Sequence, residues 1–100
     1  MSTTPNEYPF GTQVRCSVVF RNAAGDEADP TTVTFRVRDP EGTTIVYVYN
    51  TDPELVRSAA GRFYVLVTAD NTRTWIYRFE GTGAVVAADE KTFHVEESAF

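Results

Sequence analysis

The sequence predicts an all-β domain, an antiparallel β-sandwich of about seven short strands. Apolar and polar residues alternate with a period of two through most of the chain. Valine, threonine and aromatic residues dominate, and leucine occurs only at Leu55 and Leu66, a bias that favours strands over helices. Turn-forming residues recur at intervals of about 8–12 residues, and no segment has convincing amphipathic helical spacing.

Length and composition indicate one foldable domain. The chain has 100 residues, of which 42% are hydrophobic and 13% aromatic, as is typical of globular proteins. We expect tails at residues 1–7 and 97–100 around a single domain at residues 8–96. The first tail lacks the basic and apolar regions of a secretory signal. The net charge of −5 disfavours nucleic acid and anionic membranes as partners, because both would repel an acidic surface.

The N-terminal part of the chain is expected to hold one clear strand. Residues 8–11, Tyr-Pro-Phe-Gly, are predicted to run extended along a sheet edge, since proline removes a ladder donor. The strand at residues 12–21 turns four residues towards the core: Val14, Cys16, Val18 and Phe20. Residues 22–30 follow as a loop rich in turn formers.

The middle of the chain alternates in two further strands. Residues 31–38 are apolar on one face only, and the turn at residues 39–42 has proline and glycine where a β-turn favours them. Residues 43–49 are apolar or aromatic on both faces, which indicates either a central strand or a strand at a contact surface. Residues 51–60 fit two alternatives, a helical turn capped by Asp52 or a short strand.

The last part of the chain carries the clearest alternation. Residues 63–67 and 75–79 are apolar runs, and the short polar segment between them predicts a hairpin. A weaker strand at residues 84–88, a turn at residues 89–90 and a final strand at residues 91–96 complete the predicted elements.

Residues that carry chemistry are few. Cys16 is the only cysteine and alternates with apolar residues, so we expect a buried core side chain, as we do for Trp75. His94 is the only histidine, points away from the core, and has no second histidine or cysteine at ligand spacing. The serines lack the context of a catalytic nucleophile. We therefore predict no catalytic residue, no cofactor, no metal ligand and no enzymatic activity.

One loop concentrates acidic side chains. Asp26, Glu27 and Asp29 precede Pro30, and calcium takes about six to eight oxygen ligands, many of them carboxylates. The spacing matches no defined calcium loop. A solvated turn is the favoured interpretation, and calcium binding is the alternative.

Aromatic residues give the best indication of function. Tyrosine buries a large area at low entropic cost, and the chain holds a set of them at Tyr47, Tyr49, Tyr64 and Tyr77. They either lie on a contact surface or complete the core and its rim. The candidate interaction residues are Tyr8, Phe10, Tyr47, Tyr49 and Phe100.

A series of short motifs runs from Tyr8 to Val95. They are Tyr8-Pro-Phe-Gly-Thr-Gln-Val, Phe20 with a Gly25 turn, Asp29-Pro-Thr-Thr-Val33, Asp39-Pro-Glu-Gly42, Gly61-Arg-Phe-Tyr64, Trp75-Ile-Tyr-Arg-Phe79, Gly81-Thr-Gly83 and Phe93-His-Val95. Their order resembles the small immunoglobulin-like proteins encoded among the structural genes of tailed bacteriophages. The resemblance implies an immunoglobulin-like antiparallel β-sandwich, although the paired cysteines of antibody domains are absent.

The resemblance also implies a function. It indicates a non-enzymatic virion component, a capsid decoration or a head–tail or neck accessory protein, that docks on other virion proteins. Such a protein would occur in many copies in a symmetric assembly, after synthesis and assembly in the cytoplasm of the bacterial host. The alternative is an immunoglobulin-like module that binds carbohydrate or a cell-surface protein.

Overall fold

The computed structural model describes residues 7–97 and confirms the all-β sandwich, with eight strands in two facing sheets. The strands are β1 (Glu7–Pro9), β2 (Gln13–Val19), β3 (Thr32–Arg38), β4 (Thr44–Val48), β5 (Val56–Ala59), β6 (Arg62–Thr68), β7 (Arg73–Thr82) and β8 (Ala87–Glu96). One sheet has five strands in the order β1-β8-β7-β3-β4, and the other has three in the order β2-β6-β5. Within residues 7–97, no helix has the length and apolar character needed to cross a bilayer.

The core lies between the two sheets and follows the period-two alternation. Strands β2, β3 and β6 alternate exposed and buried residues along their length, so each presents one apolar face to the other sheet. Cys16 is fully buried, and burial raises the pKa of its thiol to about 12, so it is a protonated core side chain as predicted. Trp75 is also buried: its ring stacks on Phe93, and its Nε1–H donates to the Asn71 carbonyl at 2.9 Å.

The hairpin predicted between residues 63–67 and 75–79 is wrong. The first run belongs to β6, which pairs with β2 and β5, whereas the second belongs to β7, which pairs with β3 and β8. The link between them therefore crosses from one sheet to the other. Ala69 begins this crossing and is tied to the start of β2, since its amide donates to the Thr12 carbonyl at 2.8 Å and its carbonyl accepts from Gly11 at 2.8 Å.

The predicted strand at residues 84–88 and turn at residues 89–90 are also wrong. Strand β8 runs without a break from Ala87 to Glu96, and Asp89 and Glu90 pair in register with β7. The Asp89 carboxylate lies 3.4 Å from Lys91, and the Glu90 carboxylate lies 3.6 Å from Arg78. These ion pairs allow charged residues inside a strand at the sheet surface.

Three other segments test the remaining sequence predictions. The edge segment is confirmed, because β1 pairs in parallel with the end of β8; it begins at Glu7, one residue inside the expected tail. Residues 51–60 contain a turn followed by strand β5 rather than a helix. Strand β4 is apolar on both faces although it lies at the edge of its sheet, so it is not a central strand.

Candidate interaction surface at the β4 edge

The candidate aromatic residues are distributed over two edges of the five-stranded sheet. Tyr8 lies in β1 and Phe10 follows it, while Tyr47 lies in β4 and Tyr49 follows that strand. Because β1 and β4 are the opposite edges of this sheet, the two pairs do not share one surface. Phe100 lies outside the described residues.

The candidate tyrosines contact core rings. Tyr8 packs edge-on against Phe93 with ring centroids 5.8 Å apart, and Tyr49 packs edge-on against Phe63 at 5.1 Å. Tyr47 stacks nearly parallel on a core phenylalanine at 6.3 Å. All three are partly buried, so they form the rim of the core and contribute only part of their surface to any contact.

Strand β4 exposes a row of backbone groups. The Tyr49 amide donates to the Val33 carbonyl at 3.0 Å, in register with the β3–β4 ladder. In an antiparallel ladder the backbone groups of successive residues point alternately towards and away from the partner strand. Consequently the odd-numbered residues of β4 bond to β3, whereas Thr44, Val46 and Val48 direct both backbone groups away from the sheet.

The outward groups of Val48 are already bonded. Its amide donates to the Asp52 carboxylate at 2.8 Å, and its carbonyl accepts from the amides of Thr51 at 3.1 Å and Asp52 at 2.9 Å. Thr44 and Val46 differ: their two amides and two carbonyls have no partner in residues 7–97. The available edge is therefore short, four backbone groups on two residues.

Two aspartates hold this strand at its ends. Asp52 closes the C-terminal end as described, and Asp39 organises the turn that precedes β4. The Asp39 carboxylate accepts from the amides of Glu41 at 3.0 Å and Thr43 at 2.9 Å, and the Asp39 amide donates to the Thr43 carbonyl at 3.0 Å. These hydrogen bonds hold β4 in an extended conformation in the absence of a partner.

The two faces beside β4 differ in chemistry. On the outer face a shallow depression of about 280 Å³ is lined by Ile76 and three arginines, Arg36, Arg38 and Arg78. Glu80 lies 3.2 Å from Arg36 and 3.3 Å from Arg78, whereas Arg38 makes no ion pair within the described residues.

The inner face beside β4 combines apolar side chains with one carboxylate. A notch of about 220 Å³ is lined by Ile45 and Tyr47 of β4 together with Leu66, Val67 and Thr68 of β6 and Asp70. The notch is open because β5 pairs with β6 only as far as Tyr64, which leaves the following residues of β6 uncovered. Ile45 is 44% exposed and Leu66 47% exposed, so both offer apolar surface at the sandwich side.

The acidic loop is occupied by structural contacts. Glu27 forms an ion pair with Arg62, and the Asp29 carboxylate accepts from the Gly61 amide at 2.7 Å and from Arg57 at 3.0 Å. In the part of the chain that the structure describes, no three potential metal ligands cluster together. His94 is exposed on β8, as expected from the sequence.

We expect Asp29 to make stability depend on pH. The hydrogen bond from the Gly61 amide, followed by that from Arg57, holds the pKa of Asp29 below its usual range. A lowered folded-state pKa stabilises the fold above the unfolded-state pKa, and this contribution is lost as the pH falls through the folded-state pKa. The Tm difference between wild type and Asp29→Asn should therefore shrink from about pH 6 to about pH 2. A pH-independent difference would contradict this assignment.

Removing the Asp52 side chain should expose the last part of the edge. Asp52→Ala deprives the Val48 amide of its acceptor and is expected to lower stability by about 1 kcal/mol. Amide exchange followed by NMR should show faster exchange at Val48. Asp52→Asn retains an acceptor oxygen and serves as the control. Unchanged exchange at Val48 in the alanine variant would show that the carboxylate does not protect this amide.

Comparisons with known proteins support the fold. Neither a protein-family model nor a curated protein matches the sequence. Among solved structures, the chain is similar to the Lin-41 filamin domain, with a TM-score of 0.69 and 15% identity over 95% of this chain and 87% of that chain. The likeness confirms the immunoglobulin-like sandwich and, at this identity, concerns the fold alone. Membership of the bacteriophage virion proteins stays a prediction from the motif order.

Proposed function

We propose that this protein is a non-enzymatic docking domain that binds another protein through the β4 edge. The observation that supports this most directly is the set of four backbone groups on Thr44 and Val46 that have no partner among residues 7–97, flanked by exposed apolar side chains. An extended segment that adds to a sheet edge gains main-chain hydrogen bonds there and specificity from the neighbouring side chains.

The other strand edges are less suited to this role. Strand β1 has three residues and ends in a proline, and β5 is interrupted by a register shift. The outward face of β2 carries Gln13, Arg15 and Ser17 besides the exposed Val19, and the arginine places a charge in the middle of this edge strand. Strand β4, Thr-Ile-Val-Tyr-Val, has no charge, proline or bulge, the devices by which proteins usually protect an exposed edge.

We further propose, from the motif order, that the partner is a capsid, neck or tail protein of a tailed-bacteriophage virion. A short edge of four backbone groups gives a weak single contact. Many copies in a symmetric particle would make such contacts sufficient for stable attachment. Mass spectrometry of purified particles should detect the protein in stoichiometric amounts, and its absence would contradict the virion proposal.

Particle binding also tests the edge itself. Purified variants would be added to particles that lack the protein, and bound protein would be measured after sedimentation. Val46→Lys places a charge on the docking edge and should abolish binding. Ser17→Lys adds the same charge on exposed β2 and should bind like wild type. Equal binding of both variants would overturn docking through β4.

The alternative of a carbohydrate-binding or cell-surface-binding module gains no support from the tryptophan. Trp75 is 4% exposed and cannot present an aromatic platform, and the ring of Tyr64 is covered by the Arg15 guanidinium 3.8 Å from its centroid. Tryptophan fluorescence should accordingly be blue-shifted and resistant to quenchers.

A further inference from the structure

We infer that the segment bound at the β4 edge is an extended strand in which acidic and apolar residues alternate. Its carboxylates lie on the arginine-lined outer face, and its apolar side chains enter the notch at Ile45 and Tyr47. This inference rests on the proposed docking function and specifies the chemistry of the partner.

The backbone geometry determines which partner residues face each side. In either strand direction, the partner residues that lie opposite Thr44 and Val46 place their side chains on the same face as these two residues, because side chains opposite one another in a ladder share a face. That face is the outer one. The partner residue between them lies opposite Ile45 and therefore points to the inner face.

Charge on the outer face favours a carboxylate. Thr44 pairs in register with Arg38, and Val46 pairs with Arg36, so each arginine lies one strand away from the docking edge. Neighbouring strands are about 4.8 Å apart, so the partner strand lies about 9.6 Å from β3, a distance that an arginine and a glutamate side chain span together across a small residue such as threonine. Because Arg38 has no ion-pair partner in residues 7–97, its guanidinium is available for a bidentate contact.

The net charge around the depression supports the same conclusion. Three arginines, Arg36, Arg38 and Arg78, are accompanied by two glutamates, Glu80 and Glu90, which leaves one positive charge (three minus two). The whole chain carries −5, so this depression is a locally positive region on an acidic protein. Complementary charge of this kind selects acidic partners over basic ones.

The inner notch accepts an apolar side chain and disfavours a carboxylate. It is lined by Ile45, Tyr47, Leu66 and Val67 together with Thr68 and Asp70, and has room, at about 220 Å³, for an aliphatic group. A partner carboxylate here would lose solvent and face the like charge of Asp70. The opposite chemistry of the two faces therefore matches the period-two alternation of an extended strand.

A second copy of this chain is the less favourable occupant. Antiparallel pairing of β4 with itself would use the same four backbone groups. It would also bring Arg36 and Arg38 of both copies to one continuous outer face, where like charges repel. A partner with carboxylates on that face avoids this repulsion.

Labelled peptides test the inference directly. The probes are a heptapeptide of alternating valine and glutamate, its lysine counterpart, and a glutamate peptide with proline at the centre. Fluorescence anisotropy should show binding of the glutamate peptide about tenfold tighter than that of the lysine peptide, equivalent to about 1.4 kcal/mol. The proline peptide should bind weakly, and added salt should reduce the preference for glutamate.

Variants separate this inference from the docking proposal. Arg38→Glu should reverse the preference in favour of the lysine peptide, whereas Arg15→Glu on the three-stranded sheet should leave it unchanged. Val46→Pro removes only the outward amide and should weaken binding of both peptides. Circular dichroism would confirm that each variant is folded.

The outcomes differ for the two proposals. If both peptides bind equally and Val46→Pro weakens the binding of both, the acidic partner is overturned and docking at β4 is retained. Absence of binding, or binding insensitive to Val46→Pro, would overturn both. Concentration-dependent dimerisation that Val46→Pro abolishes would identify a second copy as the occupant and contradict the acidic partner.

Discussion

Replacing Gly61 by alanine is expected to destabilise the protein by about 3–4 kcal/mol. Gly61 has a φ of 72°, and a Cβ atom there would lie 2.6 Å from the Phe20 carbonyl oxygen and 2.8 Å from the Ala28 amide nitrogen. Both atoms belong to the backbone, so the clash cannot be relieved by a side-chain rotation. Urea unfolding should show the loss as a lower transition midpoint.

The contacts of Gly61 explain why the neighbouring segments resist displacement. Its carbonyl accepts from the Phe20 amide at 2.7 Å, and the Phe20 carbonyl in turn accepts from Ala28 at 3.1 Å. The Gly61 amide donates to Asp29 at 2.7 Å. Movement to admit a methyl group would therefore disturb the end of β2, the acidic loop and the start of β6 together.

Gly42 provides the matched control. Its φ is 93°, but a Cβ atom there would meet nothing within 4 Å. Gly42→Ala should thus report conformational strain alone, about 1–2 kcal/mol. Equal losses in the two variants would show that the close approach at Gly61 adds nothing to the strain.

The sequence predicted strands best where one face is buried and the other solvated. In β2 and β3 the apolar residues, such as Val14 and Val33, alternate with polar ones, and the pattern alone specifies both the strand and its inward face. Gly61 was recognised only as part of a motif. Its role depends on Ala28, which approaches it across the fold and cannot be located from local sequence.

Strand pairing could not be predicted in the same way. A short polar link joins strands of a hairpin and strands of facing sheets equally well, and packing among distant strands decides between them. Residues 63–67 lie in β6, which pairs with β2 on one side and with β5 on the other. Asp89 and Glu90 indicated a turn because Arg78, the cation that accommodates Glu90, belongs to the neighbouring strand β7, and the pairing of β7 with β8 cannot be read from local sequence.

The sequence indicated part of the candidate surface. The apolar character of residues 43–49 predicted either a central strand or a strand at a contact surface, and Tyr47 and Tyr49 lie at the β4 edge, where we propose that surface. The unpaired groups of Thr44 and Val46 were missed, because the direction of a backbone group depends on the register with β3. The capping of Val48 was missed since a carboxylate near a proline suggests a helix start as readily as an edge cap.

Phe35→Ala should cause the second large loss of stability, about 3–5 kcal/mol. Phe35 is fully buried, with its ring centroid 4.8 Å from Phe79, 6.0 Å from Tyr77 and 6.3 Å from Tyr47. Truncation leaves a cavity among three strands that cannot collapse without shifting their ladder. In a domain of this size the Tm should fall by at least about 15 °C, measured by thermal unfolding.

Two further variants serve as comparisons for Phe35→Ala. Phe10→Ala removes a ring that is 47% exposed and should change stability by no more than about 0.5 kcal/mol. Phe35→Leu fills much of the cavity but removes the ring on which Tyr47 stacks, so amide exchange should rise at Ile45 and Tyr47 more than in β2. A uniform rise across both sheets would mean that Phe35 stabilises the whole fold without a specific role in holding β4 extended for a partner.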